Sequence, residues 1–268
     1  MPGNLGEDKE ETMFHPKLFE GRNVVVTGAG RGIGLEVARL FLDCGAHVLV
    51  HVGRTPGGAL PDFLLEAQAE RRAFLVAADF LTEEGGGQFA SAVQDRFDAV
   101  HVLVNNAGTM VGRFPADELT DDQYETVVQL NQNSVVGLTR DLLPMMKKTG
   151  DAAIVNTVSI SALTGGSPGS AIYSASKAFV STYSKALARE LAPSGIRVNC
   201  VSPGTIATDF HERYSSAEKL EATRKTIPLQ RLGTPEDCAP AYLFLAAGSL
   251  SGYITGQVIE INGGQLIC

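Results

Sequence analysis

The stretch Asn23-Val-Val-Val-Thr-Gly-Ala-Gly-Arg-Gly-Ile-Gly-Leu-Glu-Val-Ala-Arg-Leu-Phe-Leu42 sets the architecture of this chain. Residues 23–27 are apolar without alternation, the mark of a strand covered on both faces. The glycine-rich turn 28–34 follows at once, and residues 35–42 carry apolar side chains at helical spacing. A strand, a glycine turn and a helix opening together make an anion cradle. Glycine lets backbone approach a ligand closely, and the first turn of a helix offers free N–H groups and a partial positive charge. Gly28, Gly30, Gly32 and Gly34 do not follow the G-x-G-x-x-G spacing of the general dinucleotide fingerprint.

The same alternation continues outward from this unit. Strands are expected at 46–52, 73–77, 100–104, 153–158, 195–201 and 257–261. Helices are expected at 60–71, 82–96, from Thr120 in one long run, at 173–191 and from Pro235. Residues 195–201 lead into Ser202-Pro203-Gly204, and a loop-rich segment runs on to about Thr234. Seven strands alternating with helices predict an α/β fold, a single Rossmann-type doubly wound domain with a parallel sheet, spanning 21–268. Residues 1–20 read as a flexible extension, tied down through Phe14, Leu18 and Phe19. In such sheets ligands bind beyond the carboxyl ends of the strands. Each unusual turn follows a strand: 28–34, Gly53-Arg54, Asp79, 105–108, 159–161 and Pro203-Gly204. They converge on one edge.

Composition narrows the function. The chain has 268 residues and a net charge of −8, which disfavours nucleic acid and anionic membranes as partners. No apolar run approaches the roughly 18 residues that span a bilayer, and the acidic N-terminus resembles no presequence. A cytoplasmic protein is expected. The four cysteines, Cys44, Cys200, Cys238 and Cys268, are widely spaced and suggest neither a disulfide framework nor a metal site.

The richest chemistry lies in Ser-Ile-Ser-Ala-Leu-Thr-Gly-Gly-Ser-Pro-Gly-Ser-Ala-Ile-Tyr-Ser-Ala-Ser-Lys, residues 159–177. Tyr173 and Lys177 are one helical turn apart and share a face. An ammonium beside a phenol favours the phenolate, so the Tyr173 pKa is expected below its usual value of about 10. A phenol so tuned is a general acid or base for a carbonyl/alcohol pair. Ser159 and Ser161 offer hydroxyls for the substrate oxygen. Taken alone, a Tyr-x-x-x-Lys pair is more often a solvated helix face.

Together these residues resemble the short-chain dehydrogenase/reductase family, and among it the 3-oxoacyl-reductase-like members of about 250 residues. The likeness covers residues 17–266. The family's TGxxxGxG motif is Thr27-Gly28-Ala-Gly30-Arg31-Gly32-Ile33-Gly34, and its NNAG motif is Asn105-Asn106-Ala107-Gly108. Its Ser, Tyr and Lys fall on Ser159, Tyr173 and Lys177, its helix Asn on Asn131, and its PG motif on Pro203-Gly204, with Thr208 after it. The resemblance implies hydride transfer between a nicotinamide and a ketone or secondary alcohol. Tyr173 is then the general acid/base, and Lys177 lowers its pKa and bonds the nicotinamide ribose. Ser159 holds the substrate oxygen, and Asn131 positions a water that feeds protons to Lys177. No metal is implied. Ser159 lies fourteen residues before Tyr173 and Ser161 twelve, against the family's usual thirteen, which leaves the choice between them open with the strand context favouring Ser159.

Arg31 and Arg54, with no carboxylate in reach along the chain before Asp62, favour NADP(H), with NAD(H) the alternative. Asp79 and Phe80 sit at the expected adenine edge, or Asp79 is a simple turn residue. Ile206 joins the cofactor set. Residues 205–230 occupy the place of a substrate lid, lined by Phe210, His211 and Tyr214. Thr109, Met110, Ser161 and Leu163 complete the expected pocket. A homo-oligomer, dimer or tetramer, is implied through the helices holding Asn131 and Tyr173. Two other classes compete: a catalytically idle dinucleotide sensor, and a dehydratase or epimerase acting on nucleotide sugars. The first predicts loss of a catalytic residue and the second a longer C-terminus, and the chain shows neither.

Overall fold

The structure, a computed structural model, describes residues 13–54 and 60–267. The expected extension therefore lies mostly outside the described residues. Its last part does not hang free: Phe19 is buried, and Phe14 and Leu18 pack on the same core.

Seven parallel strands form one sheet. They are β1 (Asn23–Val26), β2 (His47–His51), β3 (Ala73–Val76), β4 (Val102–Asn105), β5 (Ala152–Thr157), β6 (Ile196–Pro203) and β7 (Val258–Ile261). Their spatial order is β3-β2-β1-β4-β5-β6-β7. The chain steps outward from β1 to β3, returns to lay β4 against β1 in the register Val24↔Val102, and then steps the other way. The reversal leaves a crevice above β1 and β4, where the helices that follow them diverge.

Both faces of the sheet are covered, which is why the strands are apolar at successive positions. Val24 and Val26 face Val37 and Phe41 of α1 (Gly32–Asp43) and Tyr242 and Leu243 of α10 (Pro235–Ala246). Val25, Leu49 and Leu103 face the opposite layer. That layer holds Phe89 and Val93 of α3 (Glu83–Arg96), Leu138 and Leu142 of α5 (Ser134–Lys147), and Leu187 of α7 (Ala171–Leu191). Helix α2 (Asp62–Ala69) is shorter at both ends than its sequence pattern.

Two expectations change. The long helix from Thr120 is interrupted: α4 (Asp121–Val128) passes into a π-helical turn, Gln129–Asn133, before α5 begins. Asn131 sits in that turn, and its side-chain amide donates to the Val127 carbonyl at 2.8 Å. π-Turns of this kind often mark functional positions. The stretch after β6 is not simply loop. It folds as α8 (Asp209–Tyr214) and α9 (Ala217–Thr226), the latter capped by Ser216, whose hydroxyl accepts from the Lys219 N–H at 3.3 Å. Helix α9 buries none of its residues, so no apolar stripe announces it. The short helices α6 (Ser161–Thr164) and α11 (Gly248–Ser251) complete the set. No helix among the described residues is long and apolar enough to cross a membrane.

Cys44, Cys200 and Cys238 are free and buried. Burial pushes their thiols up, to about 11 for Cys44 and Cys200 and about 12 for Cys238. Iodoacetamide at neutral pH is expected to leave all three unmodified in the native protein and to label them in urea, as read by peptide mass mapping. Native labelling of any one would mean that its helix or strand opens locally.

Candidate active site

The glycine turn is fixed from three sides. Gly28 and Gly32 have φ of +62° and +57°, a region that L side chains rarely enter. A Cβ on Gly28 would stand 2.8 Å from the Ala107 Cα, so the turn after β1 and the turn after β4 touch backbone to backbone. Thr27 Oγ1 accepts from the N–H groups of Asn106 at 2.9 Å and Ala107 at 3.0 Å. The Asn106 amide donates to the carbonyls of Thr27 and Gly28, both at 3.1 Å.

The third clamp is His51, which sequence reasoning passed over as the end of a strand. Gly28 N–H donates to its Nδ1 at 3.1 Å, and its Nε2 donates to the Ala78 carbonyl at 3.0 Å. The ring is buried and stacks on Phe80 with centroids 4.0 Å apart. A carbonyl only accepts, so Nε2 carries the hydrogen and the imidazole is neutral. Burial pushes its pKa down, against weaker upward pulls from the Ala78 carbonyl and then from Asp79. The one available signal was a second histidine, closing the strand His47-Val-Leu-Val-His51.

The N-terminus of α1 opens into the crevice without a side-chain cap and without an acid in its first turn. Its first N–H groups are thus left for a ligand. Gly28, Arg31, Gly32 and Ile33 line the cleft there. Gly30 and Gly34 do not. Gly30 packs on Val52, and a Cβ on Gly34 would collide with the Gly28 carbonyl and the Asn106 amide. Both pack closely behind the turn instead of lining the cleft.

The second cluster stands at the ends of β5 and α7. Lys177 is buried, and its Nζ donates to the Thr157 carbonyl at 2.9 Å. Burial brings its pKa down to about 8. Its ammonium lies 5.7 Å from the centre of the Tyr173 ring. Burial pushes the Tyr173 phenol up to about 12, only partly offset by the neighbouring Ser159 hydroxyl. The expected lowering is therefore not found in the ligand-free protein: Lys177 is turned to Thr157, and desolvation of the phenolate dominates. Of the two serines, Ser159 is the one that bears on the phenol. Ser161 acts at one remove, donating to Ser159 Oγ from its hydroxyl at 3.0 Å and from its N–H at 3.2 Å.

Asn131 is fully buried behind this cluster. Its amide donates to the Val127 and Thr109 carbonyls, while its Oδ1 has no hydrogen-bond partner among the described residues. A Cβ on Gly108 would stand 2.7 Å from that oxygen and 3.0 Å from Lys177 Nζ. The missing side chain of Gly108 is what lets the two groups face one another.

The two clusters share one cleft of about 830 Å³. Asn106, Ala107, Gly108, Pro203, Gly204, Ile206 and Thr208 line it, as expected, with Thr109, Met110, Ser161 and Phe210 on the far side. Phe210 of α8 leans over Tyr173, the ring centroids 5.8 Å apart, and Tyr214 bonds Thr109 through its hydroxyl at 3.0 Å. The His211 side chain lies outside the described residues. Leu163 is a correction: α6 turns it away from the cleft, and it is 65 % exposed. Asp79 is another. Its carboxylate lies 3.8 Å from Arg54, so the arginine does have an acid in reach, supplied by the sheet rather than by the neighbouring sequence. Arg31 likewise pairs with Asp209 at 3.3 Å. Among the described residues no group of three or more His, Cys, Asp or Glu is placed to hold a metal ion.

A glycine-turn cradle and a Ser-Tyr-Lys cluster on one doubly wound sheet define a class of protein, and comparison agrees. A family model described as enoyl-(acyl carrier protein) reductase matches residues 28–265. The chain is 34 % identical over 248 residues to a 3-oxoacyl-[acyl-carrier-protein] reductase of Chlamydia trachomatis, covering 92 % of this chain and 98 % of that one. An NADH-dependent reductase, A1-R′, solved with NAD superposes with a TM-score of 0.81 at 32 % identity, over 93 % of this chain and 98 % of the other. A protein of Beutenbergia cavernae, solved with NADP at low occupancy, gives 0.83 at 36 %, over 93 % and 98 %. The chain belongs to the short-chain dehydrogenase/reductase family.

Proposed function

We propose that this protein is a nicotinamide-dependent oxidoreductase that interconverts a ketone and a secondary alcohol, with Tyr173 as general acid/base. The observation that carries the proposal is the meeting of Ser159, Tyr173 and Lys177 in the cleft that the glycine turn opens into, with Asn131 buried behind them. The uncapped N-terminus of α1 and the bare backbone of residues 28–32 suit a pyrophosphate. Ala107, Gly108, Pro203 and Gly204 suit the nicotinamide half. Such a cofactor, when bound, supplies or accepts the hydride. Ser159 orients the carbonyl oxygen against the Tyr173 hydroxyl. The phenol, pushed up to about 12, still holds its proton at neutral pH and has it to give. Lys177 then steadies the phenolate left behind. Asn131 Oδ1, buried and unpartnered, can hold a water facing Lys177.

For the cofactor we favour NADP(H). Arg31 and Arg54 stand at the edge of the cleft, 55 % and 70 % exposed, in ion pairs with Asp209 and Asp79. Exposed pairs of this kind are worth little, so a 2′-phosphate could displace them. The Arg54–Asp79 pairing also supports the alternative: Asp79 could accept from a ribose hydroxyl in NAD(H). NADPH and NADH, run separately against a ketone panel, decide. Preference for NADPH that falls about tenfold or more in Arg54→Ala supports the arginines, a loss of about 1.4 kcal/mol. A preference for NADH removes the phosphate assignment and leaves the chemistry standing. Tight NADPH binding without turnover of any ketone would favour an idle sensor.

The proposal carries a pH dependence. Lys177 is charged below about 8 and neutral above it. Carbonyl reduction should therefore slow as pH rises through about 8, since the charge that steadies the phenolate is lost. A kcat/KM profile flat to pH 9.5 would remove Lys177 from that role. We place the protein in the cytoplasm, as a homo-oligomer. Tyr124 on α4, which leads into the turn holding Asn131, and Phe179 on α7, which holds Tyr173, are large exposed side chains on the helices expected to form that interface, and light scattering tests it.

A further inference from the structure

The chain carries a net charge of −8, yet the substrate half of the cleft is positive. The carboxylates that line the cleft, Asp79 and Asp209, lie at its cofactor end beside Arg54 and Arg31. Beyond Tyr173 the lining holds Arg113, Arg213 and Lys219 and no acid. Among the described residues none of these three forms an ion pair within 4.0 Å, although every Arg/Lys on the neighbouring stretch Arg224–Arg231 does.

Two of the three cations converge. Arg113 Nη1 donates to Ser167 Oγ at 3.2 Å, and Lys219 Nζ donates to the same oxygen at 3.4 Å. The rest of the Arg113 fork is spent on neutral acceptors, the carbonyls of Tyr214 and Pro168. Two like charges held on one uncharged hydroxyl repel, and a half-buried guanidinium without a counter-charge is unfavourable. An anion bridging them would relieve both. Ser167 also belongs to the wall that holds the reactive hydroxyls. It follows Gly166, whose Cβ would stand 3.3 Å from the Ser161 Cβ, and Ser161 bonds Ser159. Arg213 is exposed on α8, the helix whose Phe210 leans over Tyr173.

Resting on the oxidoreductase reading, we propose that the substrate is an anionic ketone: its carbonyl lies against Tyr173 and its carboxylate or phosphate is taken by Arg113, Lys219 and Arg213. Arg113 also braces Tyr214, so the clean variants are the exposed Arg213→Gln and Lys219→Gln, combined. The probes are 3- to 6-oxo carboxylates, their methyl esters, and oxoalkyl phosphates of matching length. Each is given to the full-length protein with NADPH or NADH, with turnover read from nicotinamide absorbance and affinity from calorimetry. At least one acid or phosphate should exceed its neutral partner about tenfold in kcat/KM, mainly through KM. That advantage should fall below about threefold in the double variant and shrink at high salt, as screening weakens charge pairing. A phosphate that outperforms the carboxylate of equal length assigns the anion to phosphate; the reverse assigns it to carboxylate. Esters turned over as well as acids and phosphates would overturn the anion recess and leave the oxidoreductase intact. Selective binding of the anions, lost in the double variant but never followed by turnover, would keep the recess and remove the oxidoreductase. Neither binding nor turnover of any anion would overturn the recess.

Discussion

Tyr173→Phe should lower carbonyl reduction by about 10²–10⁴-fold, the range spanned by loss of a positioned proton donor. The phenol neighbours Ser159, and its ring packs beside both Lys177 and Phe210. Removing the oxygen leaves those ring contacts in place, so the fold and the nicotinamide cleft should survive. Cofactor affinity, measured by fluorescence titration, should change less than about threefold, or 0.7 kcal/mol. The split matters: a rate loss with unchanged cofactor binding is the sign of an interaction made in the transition state. The substitution also separates Tyr173 from Lys177. With the phenol gone, the decline in rate that accompanies deprotonation of Lys177 near pH 8 should disappear, because no phenolate remains for the ammonium to steady. A variant with more than a tenth of the parent rate would mean that another group delivers the proton. Ser159 would then be the nearest candidate.

The parts of the site legible in the sequence are those where one residue type serves one local need. Unbroken apolar strands announced a doubly covered sheet, because Val24, Val25 and Val26 alternate between two cores and are all buried. Gly28 and Gly32 announced a glycine turn, and in the structure both take positive φ. What the sequence hid depends on neighbours distant along the chain. Gly30 and Gly34 read like ligand contacts but pack behind the turn. Leu163 read like pocket lining, but its direction is set by the short helix α6, which no apolar pattern marks. The Arg54–Asp79 pair joins the ends of β2 and β3, and the Arg113–Ser167–Lys219 convergence joins three separate loops and helices. The Tyr173 pKa failed for a related reason. Helical spacing puts Lys177 on the right face, but the Thr157 carbonyl at the end of β5 decides where its ammonium points.

His51 was the least legible residue, and its replacement should have the largest effect on stability. His51→Ala removes a buried ring stacked on Phe80 and strands the Gly28 N–H and the Ala78 carbonyl together. A cavity plus two unpaired buried groups should cost about 3–5 kcal/mol of unfolding free energy, measurable by urea denaturation. His51→Gln offers both an acceptor and a donor on a chain of similar reach and should recover part of that loss. Cofactor affinity should fall with the Ala variant, since Gly28 opens the turn we propose for the pyrophosphate, and recover with Gln. The same clamp makes a pH prediction of definite sign. Folding lowers the His51 pKa, so below about pH 6.5 the unfolded chain binds a proton that the folded chain resists. Stability contributed by the neutral clamp is present above that pH and is lost as the pH falls beneath it. Against the parent, His51→Gln should therefore lose less stability between pH 7 and pH 5. Parallel pH curves for the two proteins would mean that His51 titrates alike in both states, and that the clamp holds the turn by packing alone.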